Sequence, residues 1–275
     1  MLTFSNCKIN LGLHILDKRS DGYHNLETVF YPVSLCDVLE VITGCDEIGT
    51  KVKLIVEGLP VTGTAENNLI TKAYHLLDAT YQLEPVTFCL LKKIPMGSGL
   101  GGGSSNAAFA LKLLDQLFNL KLRSDQLKKH AGELGSDCAF FIDNTPAFAT
   151  GKGEILKDIA LNLSPYHIVL VTPPVHVSTA VAFSKVIARG RTNNRYTLID
   201  EINMPVEEWK NVLINDFENS VFMAMPALKT IKEKLYNKGA IYASMSGSGS
   251  TIYGIFKSRP DLKASFAECG YFETN

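Results

Sequence analysis

Ile94-Pro-Met-Gly-Ser-Gly-Leu-Gly-Gly-Gly-Ser-Ser-Asn-Ala-Ala-Phe-Ala-Leu-Lys-Leu-Leu-Asp115 runs a glycine-rich loop into a helix, and the rest of the chain is organised around it. Four of the five residues from Gly99 to Gly103 are glycine. With so little side-chain bulk the backbone can take dihedrals closed to other residues and bring its N–H groups close to a ligand. From Ser104 the pattern turns helical: Ala107, Ala110, Leu111, Leu114 and Leu117 recur at three- and four-residue steps, with Ser104, Ser105 and Asn106 as capping types. A helix N-terminus presents unpaired N–H donors and about half a positive charge, so loop and helix together make a recipe for holding phosphate.

Two other glycine motifs precede helices, and neither fits. A Walker loop ends in Gly-Lys-Ser/Thr, whereas Gly103 is followed directly by Ser104. Gly97, Gly99 and Gly102 match the dinucleotide spacing, but no strand-helix unit opens the chain before them and no acidic residue lies about twenty positions beyond. A plain connecting turn is the remaining reading of the composition.

The whole chain sets bounds on partners. At 275 residues and 46% hydrophobic it can bury a large core and suits two lobes. With 27 basic against 28 acidic residues and no dense basic run, nothing points to nucleic acid or a membrane surface, so the expected partner is a small molecule. The six cysteines show no paired spacing, which supports neither a zinc site nor a disulfide framework. No leader pattern and no run of ~20 apolar residues is present, and the expected location is the cytoplasm.

Flanking segments carry residues of unusual placement. Met1 to Leu16 reads as a strand with Lys8 in its middle, which alone fits a surface lysine on an edge strand. Ser20-Asp21-Gly22 is a turn that delivers Tyr23 and His24 to an extended segment, Leu26 to Leu35. Val38 to Ile42 and Val52 to Val56 read as strands, Asn67 or Asn68 caps a helix burying Ile70, Ala73, Leu76 and Leu77, and Val86 to Lys93 is a strand whose Lys92-Lys93 pair either sits beside a ligand of the glycine loop or faces solvent, with at least one expected in solvent. Ser124 to Leu134 is a helix ended by Gly135. Asp137 then stands at the mouth of an apolar segment, as a helix cap or as a charge that needs a nearby cation. Tyr166 to Thr172 is a strand, a helix starting near Val177 carries Phe183, Gly190 to Tyr196 is a loop, and Trp209 to Met223 and Ala227 to Lys238 are helices. Ala243 to Thr251 has the composition of a Gly/Ser hairpin turn, and the chain past Pro260 reads as a short helix and tail.

Four of these stretches resemble the GHMP kinases, and within them the 4-diphosphocytidyl-2-C-methyl-D-erythritol kinase family. Pro95 and Gly99 through Ala108 are similar to the superfamily's phosphate motif in its triple-glycine form. Lys8-Ile9-Asn10-Leu11 with Arg19-Ser20-Asp21-Gly22-Tyr23-His24 resembles the first motif of that kinase family, departing from it at Asn6 and Cys7, where Pro-Ala is usual. Ser136-Asp137-Cys138-Ala139-Phe140-Phe141 resembles Ala-Asp-Val-Pro-Phe-Phe, with the proline lost, and Met245-Ser-Gly-Ser-Gly-Ser250 matches the third motif.

The resemblance implies an α+β, two-lobed GHMP kinase fold with an active-site cleft between the lobes. Residues 1–155 would form an N-terminal nucleotide-binding domain and 156–275 a C-terminal GHMP kinase domain. It implies ATP held by Pro95, Met96, Gly97, Ser98, Gly99, Leu100, Gly101, Gly102, Gly103, Ser104 and Ser105, with Mg2+ accompanying the nucleotide on ligands the motifs do not reveal. Catalysis would fall to Lys8 and Asp137, the latter as base or as electrostatic positioner. Asn10, Tyr23, His24, Thr179 and Phe183 would bind a substrate bearing a cytidine diphosphate group, with Tyr23 and Phe183 on opposite faces of the cytosine and His24 hydrogen-bonded to it. The implied reaction phosphorylates the 2-hydroxyl of 4-diphosphocytidyl-2-C-methyl-D-erythritol on the non-mevalonate route to isoprenoid precursors, in a monomer or homodimer. A homoserine- or mevalonate-type kinase would leave Tyr23-His24 without a role, and a nucleotide sensor would not need both Lys8 and Asp137.

Overall fold

The structure is a computed structural model that describes residues 1–45, 49–178, 182–183, 186 and 197–274. It divides into two compact units, neither continuous in sequence: Met1–Cys7, Leu35–Met96 and Gly101–Thr145 form the first, and Lys8–Ser34, Gly97–Leu100 and Pro146–Asn275 the second. Strands β1 (Leu2–Lys18) and β2 (His24–Thr43) contribute residues to both.

In the first unit β4 (Val86–Lys92) is the central strand. It runs parallel to β3 (Val52–Gly58), in register from Val52↔Val86 to Gly58↔Lys92, and antiparallel to the last part of β2, from Val38↔Leu91 to Thr43↔Val86. The parallel pair requires a crossover, and α1 (Leu69–Tyr81) supplies it, started by Asn68, whose side chain accepts from the Ile70 N–H at 2.9 Å. Alternate β-residues Val86, Phe88 and Leu90 and their neighbours Leu39 and Val41 point inward. Helix α1 buries Ile70, Ala73, Tyr74 and Leu77 but leaves Leu76 half-buried. Helices α2 (Gly102–Leu117), α3 (Ser124–Leu134) and α4 (Phe140–Asp143) complete the unit. Fully burying each large aliphatic or aromatic side chain contributes about 1.5–3 kcal/mol, and α2 buries Phe109, Leu111, Leu113 and Leu114 together.

In the second unit β5 (Ala147–Thr150) pairs antiparallel with the first part of β2 at Thr28↔Ala149 and with β6 (Ile155–Asp158). A separate antiparallel sheet has the order β10-β7-β9-β8, built from β7 (His167–Thr172), β8 (Tyr242–Met245), β9 (Ile252–Phe256) and β10 (Gly270–Thr274). Short helices α5 (Leu198–Ile202) and α6 (Trp209–Val212) precede α7 (Phe217–Ala224) and α8 (Pro226–Asn237), and the core joins Val169, Val171, Phe217, Val221, Leu228, Leu235, Ile252 and Phe256.

Four expectations change. The segments from Leu26 to Leu35 and Val38 to Ile42 are one strand of 20 residues. Pro32, which has no N–H to donate, falls between the ladders to β5 and β4. Helix α2 begins at Gly102, ahead of Ser104, with left-handed Gly101 at its cap (φ 69°) and no side-chain cap. Trp209 to Met223 is not one helix: the chain extends through Leu213 to Asn215 because Leu13 hydrogen-bonds into it, its N–H to the Ile214 carbonyl at 2.9 Å and its carbonyl from the Asp216 N–H at 2.9 Å. The C-terminal tail is strand β10, paired from Gly270↔Thr172 to Thr274↔Ile168. The loop expected over Gly190 to Tyr196 lies outside the described residues, and of the helix expected after Val177 only Ala182 and Phe183 are described as helical.

Candidate active site

In the first unit the centre of the site is the start of α2. An α-helix leaves its first N–H groups without intrahelical acceptors; here Ser105 is the first whose N–H reaches back, to the Gly101 carbonyl at 2.9 Å. No side chain caps this end, so the donors of Gly102, Gly103 and Ser104 precede the first intrahelical bond, as the start of any α-helix leaves them. A Cβ on Gly103 would meet nothing within 4 Å, whereas one on Gly102 would lie 2.7 Å from Ile94 Cγ2 and 3.0 Å from Lys92 Nζ. Glycine at 102 is thus demanded by packing, and at 103 by nothing but open space. The Ser105 hydroxyl is buried and has no hydrogen-bond partner among the described residues.

A buried ionic network fixes this helix start. Lys92, at the end of β4, donates to the Asp37 carboxylate and to Asn106 Oδ1 at 3.2 Å. Asn106 Nδ2 donates to Ser5 Oγ at 2.8 Å and to Asp37 Oδ2 at 2.9 Å. The other Asp37 oxygen accepts the N–H groups of Lys93 (2.6 Å) and Ile94 (2.8 Å), so one carboxylate holds both the strand end and the helix. Asp37 is 0% and Lys92 2% exposed; burial pushes the Lys92 ammonium below the usual lysine value, against the pull of Asp37. Only Lys93 of the lysine pair is solvent-exposed.

Asp137 lies half-buried in the turn between α3 and α4, with Ser136 Oγ 3.4 Å from its Oδ1. Cys138 beside it is buried, and its thiol is pushed up to about 12 by that burial despite a hydrogen bond with Ser104, with the Asp137 charge adding to the rise. The Cys138–Ser104 contact ties the Asp137 turn to the first turn of α2, and Lys112 Nζ adds a tie farther along the helix, donating to the Ile142 carbonyl at 3.0 Å.

In the second unit Lys8 is buried on β1, not on an exposed edge. Its ammonium donates to Asn10 Oδ1 at 2.5 Å and to the Gly99 carbonyl at 3.2 Å, and stands 4.9 Å from the Phe30 ring centroid. Asn10 is itself fixed: its Nδ2 donates to Thr28 Oγ1 at 3.0 Å, and its carbonyl accepts from the Tyr253 hydroxyl at 2.8 Å. The first part of the glycine loop rests on the third motif. Ser246 Oγ donates to the Gly99 carbonyl at 2.8 Å, and the Thr251 N–H to the Ser98 carbonyl at 3.1 Å. Gly97 and Gly99 take positive φ (62° and 80°), and a Cβ on Gly99 would overlap the Ser246 carbonyl. Leu100 is buried and its carbonyl accepts the Lys8 N–H at 3.0 Å; Pro95 is half-buried and Met96 exposed.

Tyr23 and His24 follow the β1–β2 turn in the same unit. Arg19 and Asp21 shape that turn: the Arg19 Nε donates to Asp21, Asp21 Oδ1 accepts the Tyr23 N–H at 3.1 Å, and the Arg19 N–H reaches the Tyr23 carbonyl at 2.8 Å. Tyr23 is 60% exposed with Lys152 Nζ 4.6 Å from its ring centroid. His24 stacks on Phe183 with centroids 5.0 Å apart and a 20° interplanar angle, and Phe183 meets Phe217 edge-on at 4.8 Å. Thr179 lies outside the described residues.

Sequence reasoning missed Asp37, and it named Lys92 and Asn106 without seeing that the two join it in one buried network. Their partners are distant in sequence, and the one available signal was Lys92 itself, a cation inside an otherwise apolar strand. A pocket of 260 Å³ beside α1, lined by Leu54, Val56, Glu57, Gly58, Leu59 and Asn68 among others, adds a concave surface in the first unit. Among the described residues no group of three or more His, Cys, Asp or Glu side chains could hold a metal ion. The oxygens on offer, Ser105 Oγ and the Asp137 carboxylate, suit a hard cation that arrives with phosphate oxygens rather than a protein-built cage. No helix among the described residues is long and apolar enough to cross a membrane.

Comparison with known proteins agrees with this geometry. The chain matches the GHMP kinases N terminal domain over residues 68–152 and the GHMP kinases C terminal domain over 205–269. It is 52% identical over 257 residues to the 4-diphosphocytidyl-2-C-methyl-D-erythritol kinase of Bacteroides thetaiotaomicron, covering 94% of this chain and 92% of that one. To the kinase of the same name from Azobacteroides pseudotrichonymphae it is 49% identical, covering 94% of each. A crystal structure of 4-(cytidine 5'-diphospho)-2C-methyl-D-erythritol kinase superposes with a TM-score of 0.77 at 30% identity, covering 100% of this chain and 98% of that one. The Methanococcus jannaschii mevalonate kinase shares the fold alone, with a TM-score of 0.76 at 15% identity over 100% of this chain and 98% of its own. With the GHMP kinase fold, both GHMP kinase domains and relatives 49% and 52% identical over nearly its whole length, the chain belongs to the 4-diphosphocytidyl-2-C-methyl-D-erythritol kinase family.

Proposed function

We propose that this chain transfers the γ-phosphoryl group of ATP to the 2-hydroxyl of 4-diphosphocytidyl-2-C-methyl-D-erythritol, in the cytoplasm, on the non-mevalonate route to isoprenoid precursors. The observation that carries the reading is the uncapped start of α2 behind left-handed Gly101, a helix end whose donors suit phosphate. Residues Pro95 to Ser105 cradle the ATP phosphates, and the pocket beside Asn68 takes the adenine. Residues 1–155 act as the nucleotide-binding domain and 156–275 as the C-terminal domain.

Phosphoryl transfer leaves little covalent work for a protein, so positioning and charge carry the catalysis. The acceptor oxygen bonds to the γ-phosphorus as the bond to the β,γ-bridging oxygen breaks, and Asp137 takes the hydroxyl proton. Lys8, oriented by Asn10 and the Gly99 carbonyl, supplies positive charge against the charge that builds on the transferred group. Mg2+ bound with the nucleotide would neutralise phosphate charge, with Ser105 Oγ and Asp137 as the oxygens this chain offers it. Tyr23, with one face exposed, stacks on the cytosine, His24 hydrogen-bonds it, Phe183 packs from the other side, and Asn10 and Thr179 contact the remainder of the substrate.

The test is a phosphate-transfer assay over a panel of acceptor alcohols with and without a cytidine diphosphate group. The expected result is turnover of the cytidyl acceptor with kcat/KM at least ~100-fold above that on mevalonate or homoserine, since a site built for a polar base rejects analogues lacking it. Comparable turnover of an acceptor without the cytidyl group would overturn the reading.

A further inference from the structure

We infer that Asn215, in the extended break before α7, is a positioning residue that holds the Met245–Ser250 loop against the glycine loop and thereby sets the place of Lys8; the catalytic part of this inference rests on the proposed kinase reading. Asn215 is 3% exposed and spends all of its side chain. Its Nδ2 donates to the Met245 carbonyl at 2.8 Å and to the Gly247 carbonyl at 2.8 Å, and its Oδ1 accepts the Phe217 N–H at 3.0 Å. Only a primary amide offers two donors and an acceptor in that span; a carboxylate would set acceptor against acceptor at both carbonyls.

The two clamped carbonyls flank Ser246. That residue's hydroxyl donates to the Gly99 carbonyl at 2.8 Å and accepts the Asn10 N–H at 3.3 Å. Lys8 reaches the same two residues, Gly99 through its carbonyl and Asn10 through Oδ1. Gly247 takes a positive φ of 56°, and a Cβ there would lie 3.4 Å from both Asn10 Oδ1 and the Gly99 carbonyl, so this part of the loop lies directly against the two groups that accept from Lys8. Asn215 is in turn pinned from its backbone side by Leu13 of β1, the strand that carries Lys8 and Asn10. The chain of contacts is closed: β1 fixes Asn215, Asn215 fixes Ser246, and Ser246 fixes the acceptors of Lys8.

Asn215→Ser is the informative variant, because a serine can still accept the Phe217 N–H as a helix-capping hydroxyl but is too short to clamp both carbonyls. Its kcat on the cytidyl acceptor is expected to fall by about 10- to 100-fold while ATP and acceptor affinities stay within about threefold, the pattern of an interaction realised in the transition state. Ser246→Ala should show the same split, and the double variant should be no worse than the worse single, since both act through one contact. Hydrogen exchange gives a readout independent of substrate. The amides of Ser246, Gly249 and Thr251, bonded to Thr251, Ser246 and Ser98 carbonyls, should lose protection in Asn215→Ser while those of α8 keep theirs. If Asn215→Ser does not melt cooperatively, Asn215→Thr, which keeps the hydroxyl acceptor and refills part of the space, takes its place with the same expected split. Unchanged kcat with unchanged loop protection, or losses that multiply in the double variant, would overturn the inference. A wild type inactive on the cytidyl acceptor would instead remove the proposed reaction, and the exchange result would still decide whether Asn215 holds the loop.

Discussion

The two compact units steady their halves of the glycine loop by opposite means. In the first, full charges are used: a buried carboxylate, Asp37, and a buried ammonium, Lys92, lock the end of β4 to the first turn of α2. In the second, neutral groups take part in holding Lys8: its ammonium donates to the Asn10 amide and the Gly99 carbonyl, and these are held in turn by the hydroxyls of Thr28, Tyr253 and Ser246. The difference matches the tasks. A buried ion pair is costly to break but contributes no free charge to its surroundings, which suits a part whose job is to keep a helix end still. The Asn10 and Gly99 dipoles orient the Lys8 ammonium and add no counter-charge of their own, which suits a lysine whose charge is proposed to act on the transferred phosphoryl group.

The contrast can be broken most severely at Lys92. Lys92→Met leaves the Asp37 carboxylate buried without its cation, and loss of about 3–5 kcal/mol of unfolding free energy is expected in denaturant titration. The double variant Asp37→Asn, Lys92→Met should recover much of that, because an amide can be buried without a counter-charge. A single-variant loss under ~1 kcal/mol would mean that the network is not the anchor it is taken for.

Asp137→Asn tests the chemistry. Turnover should drop ~100-fold or more with substrate binding largely retained, the scale of a lost proton acceptor. Near-normal turnover would make the carboxylate a structural cap.

Tyr23→Ala sharpens the neutral side. Base–aromatic stacking contributes roughly 1–3 kcal/mol per base, so apparent affinity for the cytidyl substrate should weaken by about tenfold to a hundredfold while ATP affinity holds. Equal losses for both ligands would point to misfolding instead.

The smallest effect is expected at Cys138. Its thiol ionises near 9.0 when unfolded and about 12 when folded, so the folded state retains a proton that the unfolded state sheds between those values. Stability from this group is therefore complete below pH 9 and lost progressively as pH rises toward 12. Cys138→Val should flatten part of the alkaline arm of a stability–pH curve above pH 9 and leave neutral pH nearly unchanged. An identical alkaline arm would show that the buried tyrosines dominate it.

What was legible in the sequence follows from range. The glycine loop could be read because its chemistry is local: glycines, small residues and a helix period within a few turns. Its exact start could not, since Ser104 and Asn106 are good caps by type, yet packing of Gly102 against Ile94 pulls the helix back to Gly101 and turns Asn106 into a network member. Lys8 looked like an edge lysine until its motif was considered, because its partners Asn10 and Gly99 meet only in the fold. The Asp37–Lys92 pair, 55 residues apart, left one local trace, a cation closing an otherwise apolar strand, and that trace does not name its partner. The helix pattern from Trp209 to Met223 ran through Asn215 because nothing in that window announces Leu13 or Met245, and β10 was unreadable without β7, about a hundred residues upstream.

The Gly99 carbonyl receives both the Lys8 ammonium and the Ser246 hydroxyl. A main-chain oxygen is written by no codon, so inheritance cannot delete this acceptor; it can alter only the donors or the glycine that lets the two loops approach. Gly99 itself is closed to any larger residue by the Ser246 carbonyl. Drift at this junction is therefore confined to concerted changes at positions 8, 99 and 246, and a lineage that lost one of the three would have to rebuild the other two around it.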